Sequence, residues 1–195
     1  MSFLEDLWQA IVSVFSKAPA GNPTTPCPKG ALTEAQAQQA FDGFKARGDI
    51  PWNYPNDCCY NRAHVMAQAL QAKGVDVGKV WNYAPSDGAL RVDTPNDPNG
   101  FVEWGYHVAP TVPVQGPDGK VQIMVFDPSI ADQPITPAQW KDMQGQVDSK
   151  LVLTTAAPYY RSEDGRVAPT PDATKVEHIF DEHRAARAAN FPGSK

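Results

Sequence analysis

Residues 56–74 read NDCCYNRAHVMAQALQAKG, and this stretch carries the start signal, the stop signal and the buried face of one helix. Asn56 or Asp57 suits the N-cap, and Gly74 suits the position just past the last turn. The buried face is predicted from residues that recur at helical spacing, namely Cys59, Ala63, Met66 and Leu70. The pattern therefore places Cys59 in the first turn, where it points toward the body of the protein.

Cys59 gains reactivity from that position. The free backbone N–H groups and the positive dipole end of a helix stabilise a thiolate, which is the nucleophilic form of cysteine. The structural alternative is that Cys59 is a small buried hydrophobe. Cys58, one residue earlier, points in a different direction, and we interpret it as a small buried hydrophobe.

A turn signal at Gly116-Pro117-Asp118-Gly119 predicts a β-hairpin. Its strands are predicted at residues 102–108, which alternate in polarity, and at residues 121–127. If the turn joins these strands directly, Gln115 lies opposite Lys120.

His107 and Asp127 lie on these predicted strands and face each other after one bulged residue. A carboxylate in that position holds the imidazole in one tautomer and leaves its other nitrogen for Cys59. The three residues would then supply a nucleophile, a base and an orienting group. The structural alternatives are a half-buried strand histidine and an aspartate that opens a turn before Pro128.

The remaining histidines give weaker signals. His64 follows Cys59 by five residues, which is about 140° around a helix, so a surface or supporting position is favoured. His178 and His183 are also five residues apart, a spacing that does not place two metal ligands on one helical face. A solvated face of a C-terminal helix over residues 172–190 is the favoured interpretation.

Four blocks of sequence point to a known family. Residues 50–66 read IPWNYPNDCCYNRAHVM, residues 104–109 read WGYHVA, residues 126–130 read FDPSI and residues 159–162 read YYRS. In the same order, these blocks resemble segments of the bacterial protein-glutaminases, which are protein-glutamine deamidases. The nucleophile segment of that family runs Asp-x-Cys-Tyr-x-Arg-Ala-His-x-Met after an aromatic residue and a Tyr-Pro pair.

The resemblance implies an α+β fold of the papain and transglutaminase type, with a Cys-bearing helix packed on an antiparallel sheet that carries His and Asp. It implies that Cys59 is the nucleophile, His107 the general base and acid, and Asp127 the orienting carboxylate. The expected reaction converts protein-bound glutamine to glutamate through a thioester and releases ammonia, without a metal or an organic cofactor. A transglutaminase or a cysteine protease uses the same triad, and a catalytically silent binding module is the non-enzyme alternative.

Aromatic residues near the nucleophile are candidates for substrate binding. Trp52 and Tyr54 directly precede the predicted helix and are the better candidates to line a substrate groove. Trp104 and Tyr106 alternate with His107 along their strand and are expected to point away from it. Core packing is therefore favoured for this second pair, with substrate binding as the alternative.

The cysteines differ from those of the secreted members of that family, which carry several disulfides. This chain has three cysteines. If Cys59 is a free thiol, at most one disulfide remains, between Cys27 and Cys58. A vicinal bond between Cys58 and Cys59 is a redox alternative that would inactivate the enzyme.

The chain divides into three predicted parts. Residues 1–17 form an amphipathic helix, residues 18–30 a Pro-rich linker, and residues 31–195 the catalytic domain. For the first part, packing on its own domain is favoured over a targeting helix or a partner-docking site. Within the domain, residues 84–100 are rich in Pro, Gly, Asp and Asn and are predicted as a long loop.

Composition limits the partners and the location of the protein. With 195 residues, of which 42% are hydrophobic, the chain can bury a single core. A net charge of −5 argues against a nucleic-acid partner. No apolar run approaches the roughly 20 residues that cross a bilayer.

The expected partners are protein substrates with exposed glutamine side chains. Glu5 and Asp6, and no Lys or Arg, precede the apolar residues from Leu7 onward, unlike a usual signal peptide. We therefore expect a protein that is secreted or injected without a cleavable signal peptide, or that is otherwise cytoplasmic. A bacterial effector or toxin is one hypothesis, and it predicts an inhibitor or immunity protein that covers Cys59.

Overall fold

The computed structural model describes residues 26–95 and 97–191. The predicted N-terminal helix at residues 1–17 and most of the predicted linker at residues 18–30 lie outside the described residues. The division of the chain at residue 31 stays a prediction. The described elements are, in chain order, β1 (Leu32–Thr33), α1 (Glu34–Lys45), α2 (Cys59–Gln71), β2 (Gly78–Tyr83), β3 (Leu90–Asp93), β4 (Phe101–Trp104), β5 (Tyr106–Gln115), β6 (Val121–Val125), α3 (Pro137–Asp142), β7 (Lys150–Thr155), β8 (Tyr160–Arg161), β9 (Val167–Ala168) and α4 (Ala173–Asn190).

A five-stranded sheet forms the centre of the molecule, in the order β1-β5-β2-β7, with β6 also paired to β5. The pairing of β1 with β5 is parallel and the other pairings are antiparallel. Strand β5 has ten residues and three neighbouring strands, so it is the best-supported strand of the sheet. The predicted α+β class with a Cys-bearing helix on a mainly antiparallel sheet is confirmed.

Helix α2 begins at Cys59, and its cap differs from the prediction. The N-cap residue is Cys58, which has a φ of 73° and provides no side-chain capping bond. Asp57 instead accepts a hydrogen bond at 2.6 Å from the backbone N–H of Cys58. The predicted stop is confirmed, because Gly74 has a φ of +77° and its N–H donates to the carbonyl of Gln71.

The β5–β6 hairpin forms as predicted, but its register is shifted by one residue. Gln115 pairs with Val121 and not with Lys120, because the backbone N–H of Gly116 donates to the carbonyl of Lys120 and closes a longer turn. With that turn, odd-numbered residues of both strands share one face of the sheet. The predicted bulge is therefore wrong, since His107 is brought to the side of Asp127 without one.

Two other strand predictions are also corrected. Residues 84–100 contain strand β3, in which Val92 pairs with Val102 of β4. Residues 102–108 do not form one strand, because the chain bends at Gly105 between the small β3–β4 sheet and the central sheet. A composition rich in Pro and Gly indicates where turns occur. It does not reveal a short strand such as β3, which forms because β4 follows it in the chain and pairs with it.

The main core lies between the helices and the central sheet. Phe41 of α1 is fully buried and packs on Phe126, with ring centroids 5.8 Å apart. Met66 and Leu70 of α2 are 2% exposed and belong to the same cluster. None of the helices in the described ranges is long and apolar enough to cross a membrane.

Candidate active site

Cys59 occupies the first position of α2 and lies where the helix meets the central sheet. Its side chain is 6% exposed and packs against Trp81, Tyr83 and Val108. The thiol therefore lies at the positive end of the α2 dipole, next to backbone N–H groups that have no partner within the helix.

His107, the second residue of β5, forms a buried pair with Asp127. The Nε2 atom of His107 lies 2.8 Å from Oδ2 of Asp127, and the two side chains are 1% and 5% exposed. The other ring nitrogen, Nδ1, is buried and has no hydrogen-bond partner among the described residues. Nδ1 is thus the ring nitrogen that is available to a reacting group.

The charge state of His107 follows from its neighbours. Burial alone would lower the pKa of the imidazole, but the carboxylate of Asp127 and the adjacent Cys59 raise it to about 9. At neutral pH the imidazolium form is therefore favoured. A cation beside a thiol at a helix N-terminus gives the electrostatic conditions for a thiolate–imidazolium pair.

Asp127 is held by two residues that sequence analysis did not identify. The indole N–H of Trp140, in α3, donates to Oδ2 at 2.8 Å. The backbone N–H of Ser129 donates to Oδ1 at 3.2 Å, and the Ser129 hydroxyl donates to the same oxygen. Burial opposes ionisation of Asp127, but His107 and these donors hold its pKa below the usual range. Ser129 lies in the Asp-Pro-Ser block and was detectable there, whereas Trp140 had no signal in the sequence.

Two indole rings stack on the imidazole of His107. Trp104 stacks on it with ring centroids 4.4 Å apart and an interplanar angle of 8°, and Trp140 stacks at 5.3 Å and 21°. The prediction that Trp104 points away from His107 is therefore wrong. The bend at Gly105 ends strand alternation and returns the Trp104 ring to the His107 side.

The other aromatic candidates lie in different surroundings. Trp52 donates its indole N–H to the carbonyl of Phe44 at 3.0 Å and packs against the core. Tyr54 contacts the rings of His183 and Phe191, with centroids 5.7 and 6.0 Å away. A role for either residue in substrate binding stays a prediction.

Tyr106 lies beside Cys59, on the face of the sheet opposite His107. Its ring contacts those of Trp81, Tyr83 and Tyr160, with centroids 5.5–6.4 Å apart. Burial, followed by the nearby Cys59, raises the pKa of its hydroxyl, which stays neutral across the physiological range. Tyr106 is therefore placed to contact a group bound at the thiol, and its role in substrate binding stays a prediction.

All three cysteines are free thiols. Cys58 is fully buried beside Ile50, Val65 and Phe180, and burial raises its pKa to about 12. These surroundings fit the interpretation of Cys58 as a small buried hydrophobe, because a thiol that stays protonated in an apolar cluster is unreactive.

The remaining histidines do not all lie on the surface. His64 is 6% exposed against the ring of Tyr159, and burial lowers its pKa to about 4. His183 also turns inward, with Nε2 at 3.7 Å from Asp57, whereas His178 is exposed and pairs with Glu182. Within the described ranges, no group of three His, Cys, Asp or Glu side chains could hold a metal ion.

Comparison with known proteins shows the family of the chain. A family model described as Glutaminase matches residues 36–144, which is more than half of the chain and includes Cys59, His107 and Asp127. No curated protein matches the chain.

Three solved structures share the fold. A crystal structure of protein-glutaminase is 24% identical with a TM-score of 0.66, covering 79% of this chain and 89% of that one. The NMR structure of protein-glutaminase from Chryseobacterium proteolyticum is 23% identical with a TM-score of 0.69, covering 84% and 92%. A crystal structure of pro-protein-glutaminase is 23% identical with a TM-score of 0.70, covering 95% and 68%. From the family match together with this shared fold, the chain belongs to the protein-glutaminase family.

Proposed function

We propose that the protein deamidates glutamine side chains of other proteins, with Cys59 as nucleophile, His107 as general acid and base, and Asp127 as the orienting carboxylate. The observation that carries the proposal is the buried 2.8 Å contact between Nε2 of His107 and Asp127, which leaves Nδ1 of the imidazole for the neighbouring Cys59. Membership of the glutaminase family supports the choice of substrate amide, and the solved relatives named protein-glutaminase support a protein-bound one.

In the first step, the Cys59 thiolate attacks the carboxamide carbon of the glutamine. The negative charge that develops on the amide oxygen is stabilised by donors near the start of α2, including the backbone N–H of Cys59. The imidazolium of His107 then gives its Nδ1 proton to the nitrogen as the C–N bond breaks. Ammonia leaves, and the glutamyl group stays on Cys59 as a thioester.

In the second step, water replaces ammonia. Nδ1 of His107 accepts a proton from the water as its oxygen attacks the thioester carbon. The C–S bond breaks, glutamate is released, and the thiolate–imidazolium pair forms again. Asp127 keeps the imidazole in one orientation through both steps, because its contact to Nε2 involves the nitrogen that does not react.

The proposal also covers the biological role of the enzyme. We propose that the protein acts as a bacterial effector that modifies proteins outside the cell that makes it. Such an enzyme requires restraint before delivery, so we expect an inhibitor or immunity protein that covers Cys59. If no protein encoded by a neighbouring gene binds or inhibits the enzyme, the effector role is contradicted. The proposed deamidation reaction does not depend on that result.

The reaction is tested by ammonia release from a denatured glutamine-rich protein, with intact mass measured on the product. The wild type is expected to release ammonia and to add about 1 Da per converted glutamine, because an amide becomes an acid. Cys59→Ala is expected to release none. Cys27→Ser, which changes a cysteine outside the site, is expected to retain the wild-type rate.

Other products would reassign the chemistry. Crosslinked product would show that a lysine amine replaces water, as in a transglutaminase, and shorter fragments would show a cysteine protease. A Cys59 thiol that neither supports turnover nor reacts with alkylating agents would favour a binding module and would exclude the proposed mechanism.

A further inference from the structure

Trp104 stacks on the imidazole of His107. The rings are nearly parallel, at 8°, with centroids 4.4 Å apart, and the indole is 8% exposed. Trp140 also stacks on the imidazole, with ring centroids 5.3 Å apart and an interplanar angle of 21°. Together the two indoles restrict the orientation of the His107 ring.

The same Trp104 side chain also reaches the segment that precedes the nucleophile. Its indole N–H donates to the carbonyl of Pro55 at 2.8 Å, and this hydrogen bond is buried. Pro55 lies four residues before Cys59. One side chain thus contacts the imidazole with its ring and the approach to α2 with its N–H.

The segment that Trp104 reaches is firmly attached to α2. The buried guanidinium of Arg62 donates to the carbonyl of Tyr54 at 3.2 Å and to the carbonyl of Asp57 at 2.9 Å. These bonds lie on either side of Pro55, so the turn and the first residues of α2 move together. A displacement of the Pro55 carbonyl is therefore expected to displace the backbone at Cys59 as well.

We propose that Trp104 is a positioning residue that sets the approach of Cys59 to Nδ1 of His107. It does so by stacking on the imidazole while its N–H holds the turn at Pro55. The proposal rests on the roles assigned to Cys59 and His107 above. It replaces the substrate-binding alternative for Trp104, because an indole buried against the imidazole has no free face for a substrate.

Two physical effects support this assignment. A displacement of about 1 Å between reacting groups is enough to slow a reaction a hundredfold. A rigid link between nucleophile and base therefore supports the reaction rate. An indole face also attracts a cation above it, which favours the imidazolium partner of a thiolate. Both effects change the rate at which the Cys59 thiol reacts, and this rate is measurable without a substrate.

The test measures the alkylation rate of Cys59 by iodoacetamide between about pH 5 and pH 10, in a Cys27→Ser background with the modified peptide identified by mass spectrometry. The wild-type profile is the reference for the variants. Trp104→Leu loses the stack and the N–H, and we expect alkylation at about pH 6 to slow roughly tenfold or more, because the imidazolium is no longer held beside the thiol.

Phe101→Leu is the matched control. Phe101 lies on β4 with Trp104, but its ring packs against the guanidinium of Arg91, 3.5 Å from the ring centroid, and not on His107. Its profile is expected to match the wild type. An equal shift in Phe101→Leu, or a wild-type profile in a folded Trp104→Leu, would overturn the proposal.

Trp104→Phe keeps an aromatic ring over the imidazole and removes the donor to Pro55. We expect a several-fold slower alkylation at about pH 6, between the wild type and Trp104→Leu. If near-ultraviolet circular dichroism shows that Trp104→Leu does not fold, this variant decides, and an unchanged rate overturns the proposal.

The readout separates this proposal from the proposed function. A shifted alkylation profile in a protein that releases no ammonia from any glutamine-rich protein would retain the positioning role and reject deamidation. Ammonia release with an unshifted profile would reject the positioning role and retain deamidation.

Discussion

At the scale of single residues, the candidate site depends on a buried His107–Asp127 pair whose carboxylate also accepts hydrogen bonds from Trp140 and Ser129. The sequence predicts Cys59 at a helix start and His107 and Asp127 on one hairpin, and the structure brings His107 and Asp127 within 2.8 Å. Their catalytic roles stay predictions. Trp140 gave no signal, since an indole N–H directed at a carboxylate depends on where α3 packs. The stack of Trp104 on His107 was missed because a bend at one glycine reverses the side expected from alternation.

Asp127→Asn tests the charge of the buried pair. Without the carboxylate, the pKa of His107 is expected to fall from about 9, so the imidazole is neutral near pH 8 and no longer stabilises a thiolate. We expect ammonia release at that pH to fall by about a hundredfold or more. Asp132→Asn, which changes a highly exposed aspartate paired with Lys45, is expected to leave the rate unchanged.

The same variant has a signature in stability. The folded-state pKa of His107 is raised above its unfolded value of about 6.5, so protonation stabilises the fold fully below that value. This contribution is lost as the pH rises through about 9. Denaturation between those limits is expected to show a fall in stability with pH in the wild type that is weaker in Asp127→Asn. Equal slopes would contradict a charged His107–Asp127 pair.

At the scale of elements, α4 holds the turn that leads into α2. Arg184 donates to the carbonyl of Asp49 at 2.6 Å, and Arg187 donates to the carbonyl of Asn53. His183 reaches Asp57, whose carboxylate caps the N–H of Cys58. The helix itself was predictable from its pattern, but its contact with residues more than a hundred positions earlier was not, because periodicity identifies a buried face and not the surface it meets.

His183→Gln tests that contact through its pH dependence. The contact with Asp57 raises the pKa of His183 and lowers that of Asp57, so the charged pair stabilises the fold from about pH 4 to about pH 6.5. Stability from this source is lost as the pH rises through the folded-state pKa of His183 or falls through that of Asp57. Because Asp57 is 63% exposed, the loss in His183→Gln is expected to stay below about 1 kcal/mol.

The measurement is urea denaturation at about pH 5.5 and about pH 8.5, where the variant should differ from the wild type more at the lower pH. His178→Gln, on the exposed side of the same helix, leaves the turn contact intact and should have the smaller effect at the lower pH. A loss in His183→Gln that does not change with pH would indicate packing and not charge.

At the scale of the whole molecule, composition predicted one core and the family resemblance predicted its architecture. The predicted register of the β5–β6 hairpin is wrong by one residue, and β3 lies in a segment predicted as a loop, because both features depend on backbone hydrogen bonds between segments. The core nonetheless supports the site directly. Phe41 of α1 packs on Phe126, which immediately precedes Asp127.

Phe41→Ala is expected to destabilise the protein by about 3–5 kcal/mol, because a fully buried ring leaves a cavity against Phe126. Leu153→Ala removes an apolar side chain that is 60% exposed on β7, and its effect should stay within about 0.5 kcal/mol. Chemical denaturation of both variants measures the difference. Similar losses would show that the cluster around Phe41 is not the main source of stability.

The order in which the site residues occur in the chain has a consequence during synthesis. The ribosome releases the nucleophile first and its orienting carboxylate last, and the imidazole acquires its raised pKa only when β5 and β6 have paired. A nascent chain that ends before residue 127 therefore contains Cys59 without the His107–Asp127 pair. The proposed reaction thus requires a completed fold, and such a nascent chain is expected to release no ammonia.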